Sequence, residues 1–168
     1  MSVGKTTLVN ALKELKQFKD YKFATERSQH LMSLGIPLNT DSTLKGQTVF
    51  LAERCGELMH DNIITDRTVF DVMAFTMNAK SIPHQDKESF ETYANEFIRE
   101  YDYIFYISPH GIEIEDNGVR ETDEHYRDLI DFTITTLIKR YGHKCNIVEK
   151  ISGSTEERIQ QILNITGL

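Results

Sequence analysis

Residues 103–108 read Tyr-Ile-Phe-Tyr-Ile-Ser, an aromatic and β-branched run closed by Pro109 and Gly111. A run apolar at nearly every position predicts a strand buried on both faces, the habit of parallel sheets. Parallel strands cannot be joined by tight turns and need long crossovers, usually helices. The rest of the chain supplies them. Leu8, Ala11, Leu12 and Leu15 recur at helical spacing and predict a helix from Thr6 to about Phe18. A short strand follows over residues 21–25 and ends at Glu26-Arg27. Residues 41 to about 59 read as a helix with Thr48, Leu51, Ala52 and Cys55 on one side. A brief apolar strand over 62–65 ends at Asp66-Arg67, and helices are expected over 69–77 and 87–100.

After the strand at 103–108, residues 113–120 form a charged loop around the turn dipeptide Asn117-Gly118. Thr122 is expected to cap the next helix, with Glu121, Asp123 and Glu124 around its first turn, and Gly142 to stop it after Tyr141. A last strand at 146–151 leads through Ser154 to a helix carrying Ile159, Ile162 and Leu163. Strands alternating with helices predict an α/β domain with a mainly parallel sheet.

At 168 residues the chain fits one domain, with no repeat or linker dividing it. A net charge of −7 argues against a broad electrostatic hold on a polynucleotide. Cys55 and Cys145 lie far apart, which predicts free thiols in a reducing compartment. The opening residues lack a charged, then apolar, leader, and no apolar run approaches the ~20 residues of a membrane span. A cytoplasmic protein is expected. The six histidines show no paired ligand spacing, and Tyr93, Tyr101, Tyr103 and Tyr106 read as core and rim packing.

Val3-Gly4-Lys5-Thr6-Thr7-Leu8 is the end of a Gly-x-x-x-x-Gly-Lys-[Ser/Thr] phosphate-binding loop. Gly4 lets the backbone approach phosphate oxygens, Lys5 brings a positive charge to the β- and γ-phosphates, and Thr6 offers a hydroxyl to Mg²⁺. The helix start adds N–H donors. A Gly-Lys-Thr triplet alone is a modest signal; heading an amphipathic helix in an α/β alternation, it is a P-loop. The motif's first glycine and the strand that leads into it would fall before Met1. The expectation is a three-layer P-loop NTPase domain that, as given, lacks its first, central strand, between the strands at 62–65 and 103–108.

Two further strand tips carry charge. Asp66 follows an apolar strand, where open α/β sheets bind ligands. It suits holding Mg²⁺ or accepting a proton from an attacking hydroxyl, with Arg67 on phosphate; capping the helix from Val69 is the alternative. Glu26 and Arg27 stand at another tip, either gripping an acceptor or forming an exposed ion pair. Arg120 and Arg127 flank a loop-to-helix junction, as lid arginines would, or belong to a solvated helix face.

Taken with Asp71, Asp123 and the run Gly153-Ser154-Thr155-Glu156-Glu157-Arg158, the set resembles the P-loop kinase-like ATPase family that includes the ribosylnicotinamide kinase domain of bacterial NAD-synthesis regulators. It is more distantly similar to deoxynucleoside and nucleoside-monophosphate kinases. The resemblance covers nearly the whole chain and implies ATP and Mg²⁺ as cofactors and one domain over 1–168, with a lid-like segment at about 111–128. It implies Asp66 as the acid at the catalytic strand tip, Arg120 and Arg127 as lid arginines, and Ser152-Gly153-Ser154 as the loop near the adenine. Val3, Gly4, Lys5, Thr6 and Thr7 would hold nucleotide, and Glu26, Arg27, Arg67 and Asp71 a small nucleoside-like or nucleotide-like acceptor. Two other functions remain open: a kinase acting on a modified base or polynucleotide end, and an ATPase switch acting on a protein partner. The acidic balance disfavours the first; no guanine-specific Asn-Lys-x-Asp signature accompanies the second.

Overall fold

The computed structural model describes residues 4–25, 27–109 and 124–168. Helices and strands alternate as α1 (Lys5–Lys13), β1 (Lys22–Ala24), α2 (Ser28–Ser33), α3 (Leu44–Glu57), β2 (Ile63–Thr65), α4 (Val69–Asn78) and α5 (His84–Ala94). They continue as β3 (Tyr103–Tyr106), α6 (Glu124–Tyr141), β4 (Ile147–Lys150) and α7 (Thr155–Thr166). Both strand pairs are parallel: Phe23 of β1 lies opposite Ile64 of β2, and Ile104 of β3 opposite Val148 of β4. The protein is α/β, as its alternation predicts.

The side chains of β3 show why the layers form. Ile104 and Tyr106 face an apolar cluster built from α4, α5, α6 and the segment 95–100, where Phe70, Met73, Ile98 and Ile130 are all at most 1% exposed. Phe105 and Ile107 face the opposite way, into a smaller cluster of Leu8, Leu12, Phe18, Ile151 and Ile162. Neighbouring residues of a strand point to opposite faces, so β3 is sandwiched between two helical layers. That is the burial its unbroken apolar run demands.

Among the described residues β2 pairs only with β1 and β3 only with β4. Between the two pairs lies a cavity of about 610 Å³, lined by Ile63–Thr65 on one side and Tyr103–Ile107 on the other. Lys5, Asp66, Arg67 and Asp71 also line it.

Several boundaries differ from the sequence pattern, each for a local reason. The first helix ends at Lys13, and a 3₁₀ turn at Lys16–Phe18 carries Phe18 into the core, edge-on to Tyr21. The helix expected from Asp41 begins at Leu44, because Thr43 caps it by accepting from the Gly46 N–H at 3.1 Å. Its buried face is also rotated: Thr48 and Ala52 are exposed, while Gly46, Gln47, Leu51 and Arg54 point inward. Two polar residues on that stripe hid it from an apolar count. Residues 87–100 are two pieces, α5 from His84 and a 3₁₀ segment Asn95–Glu100, where the Asn95 amide donates back to the carbonyls of Glu91 and Thr92. The strands at 103–108 and 146–151 pair over four residues each. Short α2, with only Leu31 buried, had no apolar period to betray it. The charged loop at 113–120 and the Thr122 cap lie outside the described residues.

Candidate active site at the strand tips

The β1–β2 ladder runs one step past the strands, with the Asp66 N–H donating to the Ala24 carbonyl at 3.2 Å. The Thr65 hydroxyl then donates to the Arg67 carbonyl at 2.7 Å and turns the chain toward α4. Thr68 is the cap of that helix: it accepts from the Phe70 N–H, and Asp71 reaches back to accept from the Thr68 N–H at 3.0 Å. Capping therefore does not consume Asp66. Only 4% exposed, it accepts from the Thr6 hydroxyl at 2.9 Å through Oδ2, while Oδ1 is buried without a partner. Two residues 60 positions apart, both expected from sequence to hold Mg²⁺, are thus in direct contact.

Gly4 starts α1 in the left-handed region, φ +73°, which a residue with a Cβ adopts only at a cost. Arg158 from the first turns of α7 lies against it: a Cβ on Gly4 would sit 3.4 Å from Nη1. This contact brings the Ser152-Gly153-Ser154 loop to the same end of α1. Ser154 caps α7 in a reciprocal box with Glu157, and Gly153 before it takes φ +95°, a conformation that favours glycine, with its missing Cβ's position 2.2 Å from the Glu157 carboxylate. In sequence Arg158 stands only at the end of a longer run; its approach to Gly4 depends on the packing of α1 on α7.

Among the residues expected to meet an acceptor, Arg67 faces Asp71 at 3.5 Å and stacks over Phe75. Arg27 faces Glu53 of α3 at 3.5 Å. Arg54, 3% exposed, donates to Glu57 at 2.7 Å. Burial pushes the Glu57 carboxyl up to about 7, against the pull of Arg54 and with Glu53 and Asp66 adding repulsion. Burial also raises Tyr101, whose hydroxyl accepts from the Val69 N–H. Glu53, Arg54 and Glu57 were not singled out from sequence, because a charged Glu-Arg-x-x-Glu stretch reads as solvated surface. Arg127 sits in the first turns of α6, its side chain 12% exposed and 3.8 Å from Asp128. Val3, Glu26, Arg120 and residues 111–123 of the lid-like segment lie outside the described residues.

A phosphate-loop helix start, a hydroxyl–carboxylate pair and arginines at the tips of parallel strands are the parts of a nucleotide site. Residues 1–158 match the AAA domain family. The chain belongs to that family. Its fold is also similar to that of deoxyadenosine kinase from M. mycoides, a structure with products dCMP and a flexible dCDP bound. The TM-score is 0.68 at 15% identity, over 98% of this chain and 93% of that one. No curated protein matches. The AAA domain described above thus has the α/β P-loop fold that kinases of this kind use, and among its described residues no helix is long and apolar enough to cross a membrane.

Proposed function

We propose that this AAA domain is an ATP-dependent kinase that transfers the γ-phosphoryl group to a nucleoside-like or nucleotide-like small molecule, akin to ribosylnicotinamide kinases. The observation that carries this reading is the Thr6–Asp66 contact, which joins the phosphate loop to the strand tip. In this reading residues 1–168 form one cytoplasmic kinase domain with a lid over about 111–128.

Val3, Gly4, Thr7 and the open N–H groups of α1 cradle the nucleotide phosphates, and Lys5 holds the β- and γ-phosphates. Thr6 and Asp66 suit Mg²⁺, which binds through a few oxygen ligands plus waters and phosphates; the unpartnered Asp66 Oδ1 is an oxygen ready for such use. The ion, when bound, neutralises charge on the transferring group. Asp66 also stands as proton acceptor: the acceptor hydroxyl oxygen bonds to the γ-phosphorus, its proton passes to the carboxylate, and the bond to the ADP oxygen breaks. Glu26, Arg27, Arg67 and Asp71 line the acceptor side, Arg120 and Arg127 close from the lid, and Ser152-Gly153-Ser154 passes near the adenine.

The test is phosphoryl transfer from labelled ATP across nucleosides, nucleotides, nicotinamide riboside and oligonucleotides. Labelled small-molecule product, lost in Lys5→Ala, is expected. ADP release that ignores every acceptor would instead make the AAA domain a switch acting on a protein, and labelled oligonucleotide a polynucleotide kinase.

A further inference from the structure

At the end of β3 the Tyr106 hydroxyl donates to Asp131 Oδ1 of α6 at 2.6 Å. Asp131 is only 6% exposed, and Tyr106 is half-buried. The phenol keeps its proton for this bond. Burial pushes it well above its ordinary value and Asp131 pushes it further, against a bond with Ser108. Holding a carboxylate out of water is costly, and a leucine of similar size would fill the same space without that cost. Buried polar groups that stability does not require are best attested as devices that fix register.

What this bond registers is the helix that carries Arg127. Residues four apart share a helix face, so Asp131 stands one turn beyond Arg127 on the same side of α6. The Arg127 side chain is 12% exposed and lies 3.8 Å from Asp128, so its place follows that of the helix. Ile130, Ile134 and Leu137 seat α6 in the larger apolar cluster. Apolar burial is non-directional and defines the depth and turn of a helix less sharply than a hydrogen bond does. Asn78 of α4 donates to Thr133 at 3.0 Å, and Glu91 of α5 accepts from Arg140 at 2.7 Å and from Tyr141 at 2.8 Å. Those bonds tie α6 to other helices, whereas the Tyr106–Asp131 bond ties it to the sheet. Both of its residues line the cavity that Asp66, Arg67 and Asp71 also line.

We propose that Tyr106 and Asp131 are positioning residues for phosphoryl transfer: their bond fixes α6 on the end of β3 and so sets where Arg127 meets the transferring group. The proposal rests on the kinase reading and deepens it. A misplacement of about 1 Å in a group that acts on the transition state costs up to about a hundredfold in rate. ATP seated on α1 would not feel it.

Tyr106→Phe, Asp131→Leu and the two combined are assayed with labelled ATP and the panel of nucleosides, nucleotides and nicotinamide riboside. Each single variant is expected to lower kcat about tenfold or more and to leave the KM for ATP unmoved. The double variant leaves neither member of the pair wanting the other, so it should regain the Tm that Tyr106→Phe loses while kcat stays low. A kcat that recovered along with Tm would make the bond merely structural and overturn the proposal. In an Arg127→Ala background, Tyr106→Phe should cost nothing further, because the group it positions is gone; losses that multiply would overturn it too. Unchanged kcat in both single variants would do the same while the kinase reading stood. Wild-type ADP release that ignores every acceptor would overturn the kinase reading itself, and this proposal with it.

Discussion

Replacing Asp66 by Asn separates what this side chain does for folding from what it does for chemistry. An asparagine keeps an oxygen where Oδ2 now accepts from the Thr6 hydroxyl at 2.9 Å, so the contact between α1 and the strand tip survives. What goes is charge. A hydrogen bond to a charged group contributes about 1.5–3 kcal/mol and a neutral one about 0.5–1.5, so the fold should lose about 1 kcal/mol. Relief of the repulsion that Asp66 exerts on Glu57 offsets part of that. For a domain of this size 1 kcal/mol lowers the Tm by about 2–4 °C. The catalytic loss should be larger, because an amide cannot take the acceptor's proton: about 10²- to 10⁴-fold in rate, or about 3–5 kcal/mol of barrier. Single-turnover phosphoryl transfer, ATP affinity and Tm on one preparation measure the three quantities. A rate per folded molecule within about threefold of wild type would refute the assignment and leave Asp66 a structural residue.

Lys5→Ala should abolish transfer and leave the circular dichroism spectrum unchanged; near-normal turnover in the folded variant would contradict the phosphate loop. Arg120→Ala and Arg127→Ala should mainly lower kcat in steady-state assays, and an unchanged kcat in both would deny them a part in the chemistry and leave the largely buried Arg127 a packing residue of α6. Glu57 should make stability depend on pH. Its carboxyl stands at about 7 in the folded protein against an ordinary 4.5, so its contribution is fully present below 4.5 and is lost as pH rises through 7. The gap corresponds to at most about 3 kcal/mol at 1.36 kcal/mol per unit. Melts from pH 4 to 8 should therefore show Glu57→Gln gaining on wild type as pH rises, and parallel curves would refute the linkage.

Periodicity was enough to read the layers, because β3 carries apolar side chains on both faces and α1 and α7 carry clean apolar stripes. It failed on α3. There the inward stripe contains Gln47 and Arg54, and a pattern sought among apolar residues rotates onto the wrong face. The candidate site divides the same way. Lys5, Thr6 and Asp66 were legible because each belongs to a local motif whose chemistry depends on nearby residue types. Arg158 was not legible as a neighbour of Gly4, nor Glu53 and Glu57 as part of the pocket they line with Lys22 and Phe23, because what defines them is packing between distant segments. Asp71 was half-legible: it lies in the first turn of α4 beside Arg67, and it closes the cap of α4 with Thr68, a bond that a sequence of Thr-x-x-Asp does advertise.

The two apolar clusters on either side of β3 imply that the molecule opens in parts. α1 rests on the smaller cluster with α7, whereas α4 is buried in the larger one. Groups that protect amides from solvent exchange in such arrangements form separate cooperative units, each with its own opening free energy. The phosphate loop thus belongs to one unit and the helix after Asp66 to the other, with the Thr6 hydroxyl reaching across. A nucleotide seated on α1 and touching the strand tip would tie the opening of one unit to that of the other. Amide exchange in α1, α7 and the first turn of α4 should then slow together on ATP binding, so that the ligand acts as a staple between two halves that otherwise breathe on their own.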